Sequence, residues 1–244
     1  MRIVRVYTDQ PLPPHSNINL PEAVSHHLSR VLRLRIGEAL HVFNGRGGRH
    51  EARIVSIGKR QVEVELLVFK EEERESNLDI LLAQGISRGQ RMDYAIQKAV
   101  ELGVKRIVPI LTGHGNVSLK DERIESRLRH WEGIVIHACE QCGRNQLPTL
   151  SPPISFNEWL AQDTNSLRLI LDPESDHSLG DIPEPGGALS LLCGPEGGFS
   201  RDEVQIALRE GYTGVRLGPR VLRTETAAVA ALSACQILWG DLGG

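Results

Sequence analysis

Apolar and polar residues alternate over three stretches near the start of the chain, which is the pattern of half-buried β-strands. These stretches are residues 2–7, 40–55 and 61–69, and Gly47-Gly48 interrupts the second of them. Glycines supply the positive φ angles of a tight turn, so residues 40–55 are predicted to form a β-hairpin. Residues 21–31 instead carry apolar side chains at helical spacing, which favours a short helix. Four or five strands and one helix within about 70 residues predict a small barrel or curled sheet.

A polar, charged run over residues 70–77 separates this region from one in which strands and helices alternate. Such alternation is typical of an α/β domain with a parallel sheet. We therefore predict one domain over residues 1–72 and a second over residues 73–244. Strands of the second domain are predicted at residues 78–83, 106–111, 167–171, 188–193 and 213–217, and helices at residues 88–102, 121–142 and 225–239, with a further helix capped by Ser200 and Glu203.

The predicted final helix, residues 225–239, is apolar around almost its whole circumference. It is also rich in alanine, whose small side chain lets another helix approach closely. A helix without a polar face is normally buried on all sides. The pattern therefore leaves two readings: the helix passes through the centre of its domain, or its outer face meets a second subunit.

Two glycine-containing loops follow the strands predicted at residues 188–193 and 213–217. The first loop runs from Cys193 to Ser200 and the second from Leu217 to Ala227, and each leads into a helix. Glycine lets backbone N–H and C=O groups approach a ligand closely. Two such loops at neighbouring strand ends suit an adenosine-type ligand held by backbone atoms. The dinucleotide fingerprint and the Walker sequence are both absent, which argues against NAD and ATP.

Charge is distributed unevenly along a chain whose net charge is −3. Residues 1–70 hold 11 basic and 6 acidic residues, and residues 26–60 hold 8 basic and 2 acidic residues. A basic module of this kind either contacts a polyanion or presents a solvated positive face. If it binds RNA, the candidate phosphate contacts are Arg30, Arg33, Arg46, Arg49 and Arg53.

Other features of the composition narrow the class of protein. No apolar run approaches the ~20 residues of a membrane span, and the first residues lack an apolar signal region, so we expect a cytoplasmic protein with no membrane contact. Cys139 and Cys142 form a C-x-x-C, but there is no second pair to complete a zinc site. We expect no metal, and we interpret the two cysteines as small side chains near a helix end.

Five segments together resemble a known group of enzymes. They are Gly194–Ser200, Leu217–Ala227, Gln97–Val104, Ala138–Asn145 and His27–Arg33. The first two resemble motifs of the SPOUT methyltransferases. The full set resembles the bacterial small-subunit (16S) ribosomal RNA uracil-N3 methyltransferase family, and the resemblance runs almost from end to end, with residues 148–184 matched least.

The resemblance implies both a fold and an activity. It implies a PUA-like, RNA-binding β-barrel at residues 1–72 and a SPOUT domain at residues 73–244, with a mostly parallel sheet and a trefoil knot. It implies S-adenosylmethionine as the methyl donor and a uridine of small-subunit ribosomal RNA as the acceptor, in free RNA or in the ribosomal particle. It also implies a homodimer with the last helix at the interface.

Site residues follow from the loops and the resemblance together. The catalytic candidates are Arg223, Glu225 and Glu140, and Arg144 and Arg220 join the RNA-binding candidates. The cofactor-binding candidates are Leu171, Gly194, Glu196, Gly197, Gly198, Leu217, Gly218, Leu222 and Thr226.

Two carboxylates and the activity itself have alternative interpretations. Glu140 fits a helix-surface ion pair equally well, and Glu225 fits a carboxylate stabilised by a helix N-terminus. The alternative to a methyltransferase is a non-catalytic RNA-binding module that holds a nucleotide-type ligand. Binding of S-adenosylmethionine would distinguish the two functions.

Overall fold

The computed structural model describes residues 3–114 and 121–243 and divides into two compact units. Unit one comprises Met1–Glu75 together with Cys139–Leu147, and unit two comprises Ser76–Ala138 and Pro148–Gly244. The sequence pattern alone places the second segment of unit one in the domain over residues 73–244.

Unit one is built on a five-stranded sheet with the order β1-β3-β4-β5-β2. The β1–β3 pair is parallel and the other pairs are antiparallel. One helix, α1 (Glu22–His26), continues as a π-helical turn over His27–Val31. The strands are β1 (Val4–Tyr7), β2 (Asn17–Asn19), β3 (Ala39–Phe43), β4 (Arg49–Ile57) and β5 (Val62–Lys70).

The hairpin predicted from the first glycine cluster is confirmed. Strands β3 and β4 pair with one another, and Gly45, Gly47 and Gly48 between them all have positive φ. Alternate residues of the strands point into a core that also receives Leu28 from the helical segment. Strand β2 was not predicted, because three residues are too few for an alternating pattern to be seen.

Unit two contains a seven-stranded sheet in which every recorded pair is parallel. The strand order is β12-β10-β11-β6-β7-β8, and β9 also pairs with β7. The strands are β6 (Ile80–Gly85), β7 (Arg106–Leu111), β8 (Thr149–Leu150), β9 (Ile154–Ser155), β10 (Leu167–Leu171), β11 (Leu189–Cys193) and β12 (Thr213–Val215). The helices are α2 (Gln90–Glu101), α3 (Asp121–Cys142), α4 (Phe156–Gln162), α5 (Arg201–Arg209) and α6 (Thr224–Trp239), and a 3₁₀ turn spans Leu179–Asp181.

The mostly parallel α/β architecture is therefore confirmed. Strands β6 and β11 are buried along their whole length, as expected for the centre of a parallel sheet covered on both faces. Ser200 caps α5 with the predicted capping box: its hydroxyl accepts from the Glu203 N–H at 3.1 Å, and the Glu203 carboxylate accepts from the Ser200 N–H at 2.8 Å. The trefoil knot stays a prediction.

Helix α6 is apolar, but it is not buried on all sides within the chain. Ala228, Ala231, Leu232 and Cys235 are buried, whereas Ile237 and Leu238 are 58% and 49% exposed. One face of the helix is therefore buried inside unit two, whereas its C-terminal end carries exposed apolar side chains. Neither of the two interpretations given above describes the whole helix. Across the described part of the chain, no helix is both long and apolar enough to cross a membrane.

Candidate functional site

A cavity of about 750 Å³ lies at the carboxyl ends of strands β10, β11 and β12 in unit two. Most of its lining lies at or just after the end of each strand, in residues 171–174, 194–199, 217–218 and 220–222. Residues at the start of α5 and α6, among them Thr224, complete it. Because neighbouring parallel strands end at the same edge of a sheet, three loops that are distant in sequence meet there. Its volume falls in the usual range for small-molecule sites, roughly 300–1,000 Å³.

Two glycines expose backbone to this cavity. Gly198 and Gly218 both line it, with φ angles of 68° and 73°. A Cβ built on either residue would have no heavy atom within 4 Å, so open space faces the backbone at both positions. Any other residue would be strained there and would fill part of that space.

The first loop (residues 194–199) is held from behind by very close packing. A Cβ on Gly85, at the end of β6, would lie 2.5 Å from the backbone nitrogen of Pro195, so only glycine fits. Beside it, the Gln84 side chain donates to the carbonyl of Gly194 at 3.3 Å and to the Thr224 hydroxyl at 3.1 Å. The Thr224 hydroxyl in turn donates to the same Gly194 carbonyl at 2.6 Å. This joint connects β6, the first loop and the start of α6.

Neither Gln84 nor Thr224 was predicted as a site residue. The sequence does single out Gln84 as a polar residue directly after the apolar run at residues 78–83. In the structure its side chain is only 1% exposed. Buried polar side chains need partners. The strand pattern therefore points to a polar joint at this position without identifying what Gln84 contacts.

Glu196 ties the first loop to the beginning of α2. Its carboxylate accepts from the Arg88 backbone N–H at 2.8 Å and from the Arg91 guanidinium at 2.9 Å. Partial burial opposes ionisation of this carboxyl group, but the two hydrogen bonds and the charge of Arg91 outweigh it, so the pKa of Glu196 is lowered. Glu196 thus positions the loop while also lining the cavity.

Arg223 and Glu225 flank the first residue of α6. Arg223 is the exposed N-cap residue, and Glu225 lies in the first turn. The Oε2 atom of Glu225 is buried and has no hydrogen-bond partner among the residues that the structure describes. Such a carboxylate oxygen lacks the compensation that burial normally requires. It is therefore available to a donor from a ligand, the substrate or a second chain.

The structure brings most of the predicted cofactor residues together. Those that line the cavity are Leu171, Gly194, Glu196, Gly197, Gly198, Leu217, Gly218 and Leu222, together with Arg220 from the predicted RNA-binding set. Thr226 is exposed on α6 and is outside the lining. That these residues contact a cofactor stays a prediction.

Two predicted residues of unit one have structural partners. Glu140 accepts a hydrogen bond from the backbone N–H of Tyr7 at 3.0 Å. Arg144 is 3% exposed and binds both carboxylate oxygens of Glu75, at distances down to 2.6 Å. A phosphate contact needs an accessible cation, so as it stands Arg144 belongs to the scaffold of unit one.

The remaining predicted arginines of unit one differ in exposure. Arg49 is largely buried and forms an ion pair with Glu72 at 2.8 Å, which again makes it part of the scaffold. The four that are exposed, and that have no ion-pair partner within the described ranges, are Arg30, Arg33, Arg46 and Arg53. These four fit the predicted basic face best.

The C-x-x-C cysteines are both free thiols. Cys139 is fully buried, and burial raises its pKa to about 12. A thiol of that kind is protonated at neutral pH and is therefore a poor nucleophile and a poor metal ligand.

Comparison with known proteins defines the class to which this fold and site belong. Residues 74–236 match the family model of the RNA methyltransferase domain, and residues 20–67 match that of the RNA methyltransferase PUA domain. The class is therefore an RNA methyltransferase that carries a PUA domain, which confirms the predicted resemblance and both predicted domain types.

Full-length relatives make the assignment more specific. Ribosomal RNA small subunit methyltransferase E of Buchnera aphidicola (subsp. Schizaphis graminum) is 36% identical over 99% of this chain and 98% of its own length. The enzyme of the same name from Neisseria gonorrhoeae, solved with S-adenosylmethionine, is 41% identical with a TM-score of 0.92, over 99% of this chain and 100% of that one. A methyltransferase from Legionella pneumophila, solved with the same cofactor, is 40% identical with a TM-score of 0.96 over the same shares of the two chains. The chain belongs to the ribosomal RNA small subunit methyltransferase E family.

Proposed function

We propose that this chain transfers a methyl group from S-adenosylmethionine to N3 of a uridine in small-subunit ribosomal RNA. The observation that carries the proposal is the cavity where two glycines turn bare backbone toward open space at the ends of adjacent parallel strands. The full-length similarity to methyltransferases solved with this cofactor supports the same assignment.

The residues around the cavity fit this cofactor. Leu171, Leu217 and Leu222 offer apolar surface to an adenine ring, and the backbone at Gly198 and Gly218 is open for hydrogen bonds. The carboxylates of Asp172 and Glu174 also line the cavity, and they complement the positive charges of an ammonium and a sulfonium group. When bound, S-adenosylmethionine supplies a methyl group that is activated by the positive sulfur.

The acceptor requires help from the protein because N3 of uracil carries a proton. A neutral uracil is a poor nucleophile, so a cation that stabilises the uracil anion favours methyl transfer. We propose that Arg223 has this role, since it is exposed at the N-cap of α6. The unpartnered Oε2 of Glu225 would then accept from Arg223 or from the base and orient it. A catalytic role for Glu140 stays a prediction, because Tyr7 already engages its carboxylate.

RNA binding is proposed to rest on accessible arginines. Arg30, Arg33, Arg46 and Arg53 are exposed on unit one, and Arg220 is exposed at the rim of the cavity. Their contacts would be with phosphates, which makes binding strongly dependent on salt. The substrate is ribosomal RNA either free or in the particle, and the place of action is the cytoplasm.

We also propose that the chain forms a homodimer through the C-terminal end of α6. Ile237, Leu238 and Leu242 are 58%, 49% and 54% exposed within six residues. Clusters of exposed aliphatic side chains commonly mark a protein interface. A second copy would cover these residues.

Calorimetric titration with S-adenosylmethionine tests the cofactor site directly. Gly218→Leu would place a side chain in the cavity, and we expect affinity to fall by at least about tenfold, equivalent to ~1.4 kcal/mol. Gly37→Leu is the matched control, because Gly37 also has a positive φ of 91° and open space around a Cβ but lies in unit one. Equal affinity for the two variants, or no binding by the unaltered chain, would remove the cavity from the proposal.

A further inference from the structure

Seven consecutive residues of unit one, Arg30–Ile36, form a segment with unusual exposure, which we call the arginine–aliphatic segment. It consists only of arginines and aliphatic residues, and all of it except Leu34 is exposed. Val31 and Ile36 are 59% and 64% exposed, and Leu32 is 40% exposed. The segment is nevertheless well anchored, because Leu28 is completely buried just before it and Leu34 packs against the core of unit one.

The charges of the segment are not balanced by the protein. Arg30, Arg33 and Arg35 have no ion-pair partner in the described part of the chain, and residues 27–37 contain no acidic residue. The nearest carboxylate along the chain, that of Glu38, accepts the Arg35 backbone N–H at 2.8 Å. Elsewhere in unit one, by contrast, Arg49 is paired with Glu72. Three uncompensated cations within six residues are complementary to a polyanion.

The backbone at Arg33 departs from local preference. Its φ is 56°, and the Leu34 N–H donates to the Leu28 carbonyl at 3.0 Å, which closes the C-terminal end of the π-helical turn. Glycine is the usual residue at that left-handed position because a Cβ is disfavoured there. The preceding turn is π-helical, a form that occurs frequently at functional sites. An arginine at a position that favours glycine indicates that its side chain serves binding rather than the stability of the fold.

We propose that the arginine–aliphatic segment binds an unpaired stretch of RNA. Its arginines contact phosphates, while Val31, Leu32 and Ile36 pack against the faces of bases that a duplex would hide. Duplex RNA offers phosphates but no base faces, so the aliphatic residues make the segment selective for single-stranded RNA. This inference rests on the proposed function, and it adds the class of RNA structure that the segment recognises.

Fluorescence anisotropy tests the aliphatic part. The probes are a labelled single-stranded oligouridine and the same strand annealed to its complement, with the full-length protein. We expect the double variant Val31→Ser/Ile36→Ser to bind the single strand about tenfold more weakly and the duplex unchanged. The salt dependence should not change, because no cation is removed. Val68→Ser is the matched control, since Val68 is 47% exposed on β5 of the same unit.

A pair of substitutions at Arg33 tests the polar part and separates binding from folding. Both Arg33→Gly and Arg33→Ala should weaken RNA binding and lower the log–log salt slope by about one. The melting temperature of Arg33→Gly should equal or exceed that of the unaltered protein, whereas Arg33→Ala keeps the disfavoured φ and should gain nothing. A merely structural role for Arg33 predicts instead that Arg33→Gly leaves RNA binding unaltered.

Three results would overturn the inference. One is that the double variant binds single strands as well as Val68→Ser does. Another is an equal loss for single strand and duplex, which would exclude base contacts. The third is a loss seen only with assembled ribosomal subunits, which would make a ribosomal protein the partner. Methylation is measured separately at saturating RNA: single-strand selectivity without formation of N3-methyluridine would contradict the proposed function and leave this inference standing.

Discussion

At the scale of single residues, three carboxylates of unit two differ in what compensates them. Glu196 accepts from a backbone N–H and a guanidinium, and Glu203 accepts from the N–H groups of Gly113 and Ser200, both at 2.8 Å. Glu225 is the exception, because its Oε2 is buried without a partner in the ranges that the structure describes. Since an uncompensated buried oxygen destabilises a fold, Glu225 is the carboxylate for which we predict a role in the reaction.

The lowered pKa of Glu196 predicts a pH-dependent contribution to stability. Its pKa in the folded protein lies below its ordinary value of 4.5. The stabilisation is therefore complete above that ordinary value and is lost as the pH falls through the folded pKa. Glu196→Gln should lower the free energy of unfolding by about 0.5 kcal/mol near neutral pH and by less in acid. Urea unfolding at both pH values measures this.

Glu184→Gln is the control for that comparison, because Glu184 is exposed and forms no ion pair with any described residue. If the two variants lose the same stability at each pH, the hydrogen bonds of Glu196 have no net effect.

The residues that the sequence places in the cavity lining are those whose backbone forms its wall. Gly218 and Gly198 could be identified because glycine after a strand and before a helix indicates positive φ and close approach. The contacts of Gln84 and Arg144 could not be predicted, because their partners lie 110 and 69 residues away along the chain. Nothing in a single sequence tells a buried, paired arginine from an exposed one.

At the scale of elements, the site depends on how the loops are joined to one another. The Thr224 hydroxyl donates to Gly194 of the first loop and accepts from Gln84 of β6, so α6 begins at a fixed place beside the cavity. Cofactor affinity should therefore depend on these hydrogen bonds, which hold two parts of the cavity lining, Gly194 and Thr224, together.

Thr224→Val tests this coupling, because valine has the same shape and removes only the hydroxyl. We expect a loss of about 1–3 kcal/mol in the free energy of unfolding, since Gln84 loses a buried partner. Weaker binding of S-adenosylmethionine should accompany it in calorimetry. The control is Thr213→Val on β12, where no cavity contact is changed. Full stability and affinity in Thr224→Val would mean that the loops hold their positions without this bond.

Long elements were predicted well and short ones poorly. The predicted bounds of β7, α3 and β10 are those observed. Helix α4 was missed although Ser155 and Glu158 form a capping box and Phe156, Trp159 and Leu160 are buried. It has only seven residues, follows two two-residue strands and lies in the stretch least like the family, so neither periodicity nor resemblance identified it.

At the scale of the whole molecule, the division of the chain is not a single cut. Cys139–Leu147 belongs to unit one although it follows the main part of α3, because its side chains bond to the first strand and to residues 72–75. Sequence composition reveals the polar run at residues 70–77 but carries no sign of this return. Tertiary contacts place Cys139–Leu147 in unit one, and a single sequence does not reveal such contacts.

The exposed end of α6 predicts the oligomeric state. Ile237→Lys together with Leu238→Glu should convert a dimer into a monomer, because charges would have to be buried at the interface. Leu208→Glu is the control, since Leu208 is an exposed leucine of α5. Light scattering at micromolar concentration measures the mass of each. A monomeric unaltered chain, or an unaltered mass in the double variant, would exclude this interface.

The central claim is the reaction itself, and nucleoside mass spectrometry tests it most directly. Small-subunit ribosomal RNA from a strain that lacks the enzyme, both free and in subunits, is incubated with the protein and S-adenosylmethionine and then digested to nucleosides. We predict N3-methyluridine as the product, formed about 10²–10³ times more slowly by Arg223→Ala in a single turnover. A methyl group on any other position, or S-adenosylmethionine binding with no methylated nucleoside from either substrate, would contradict the account.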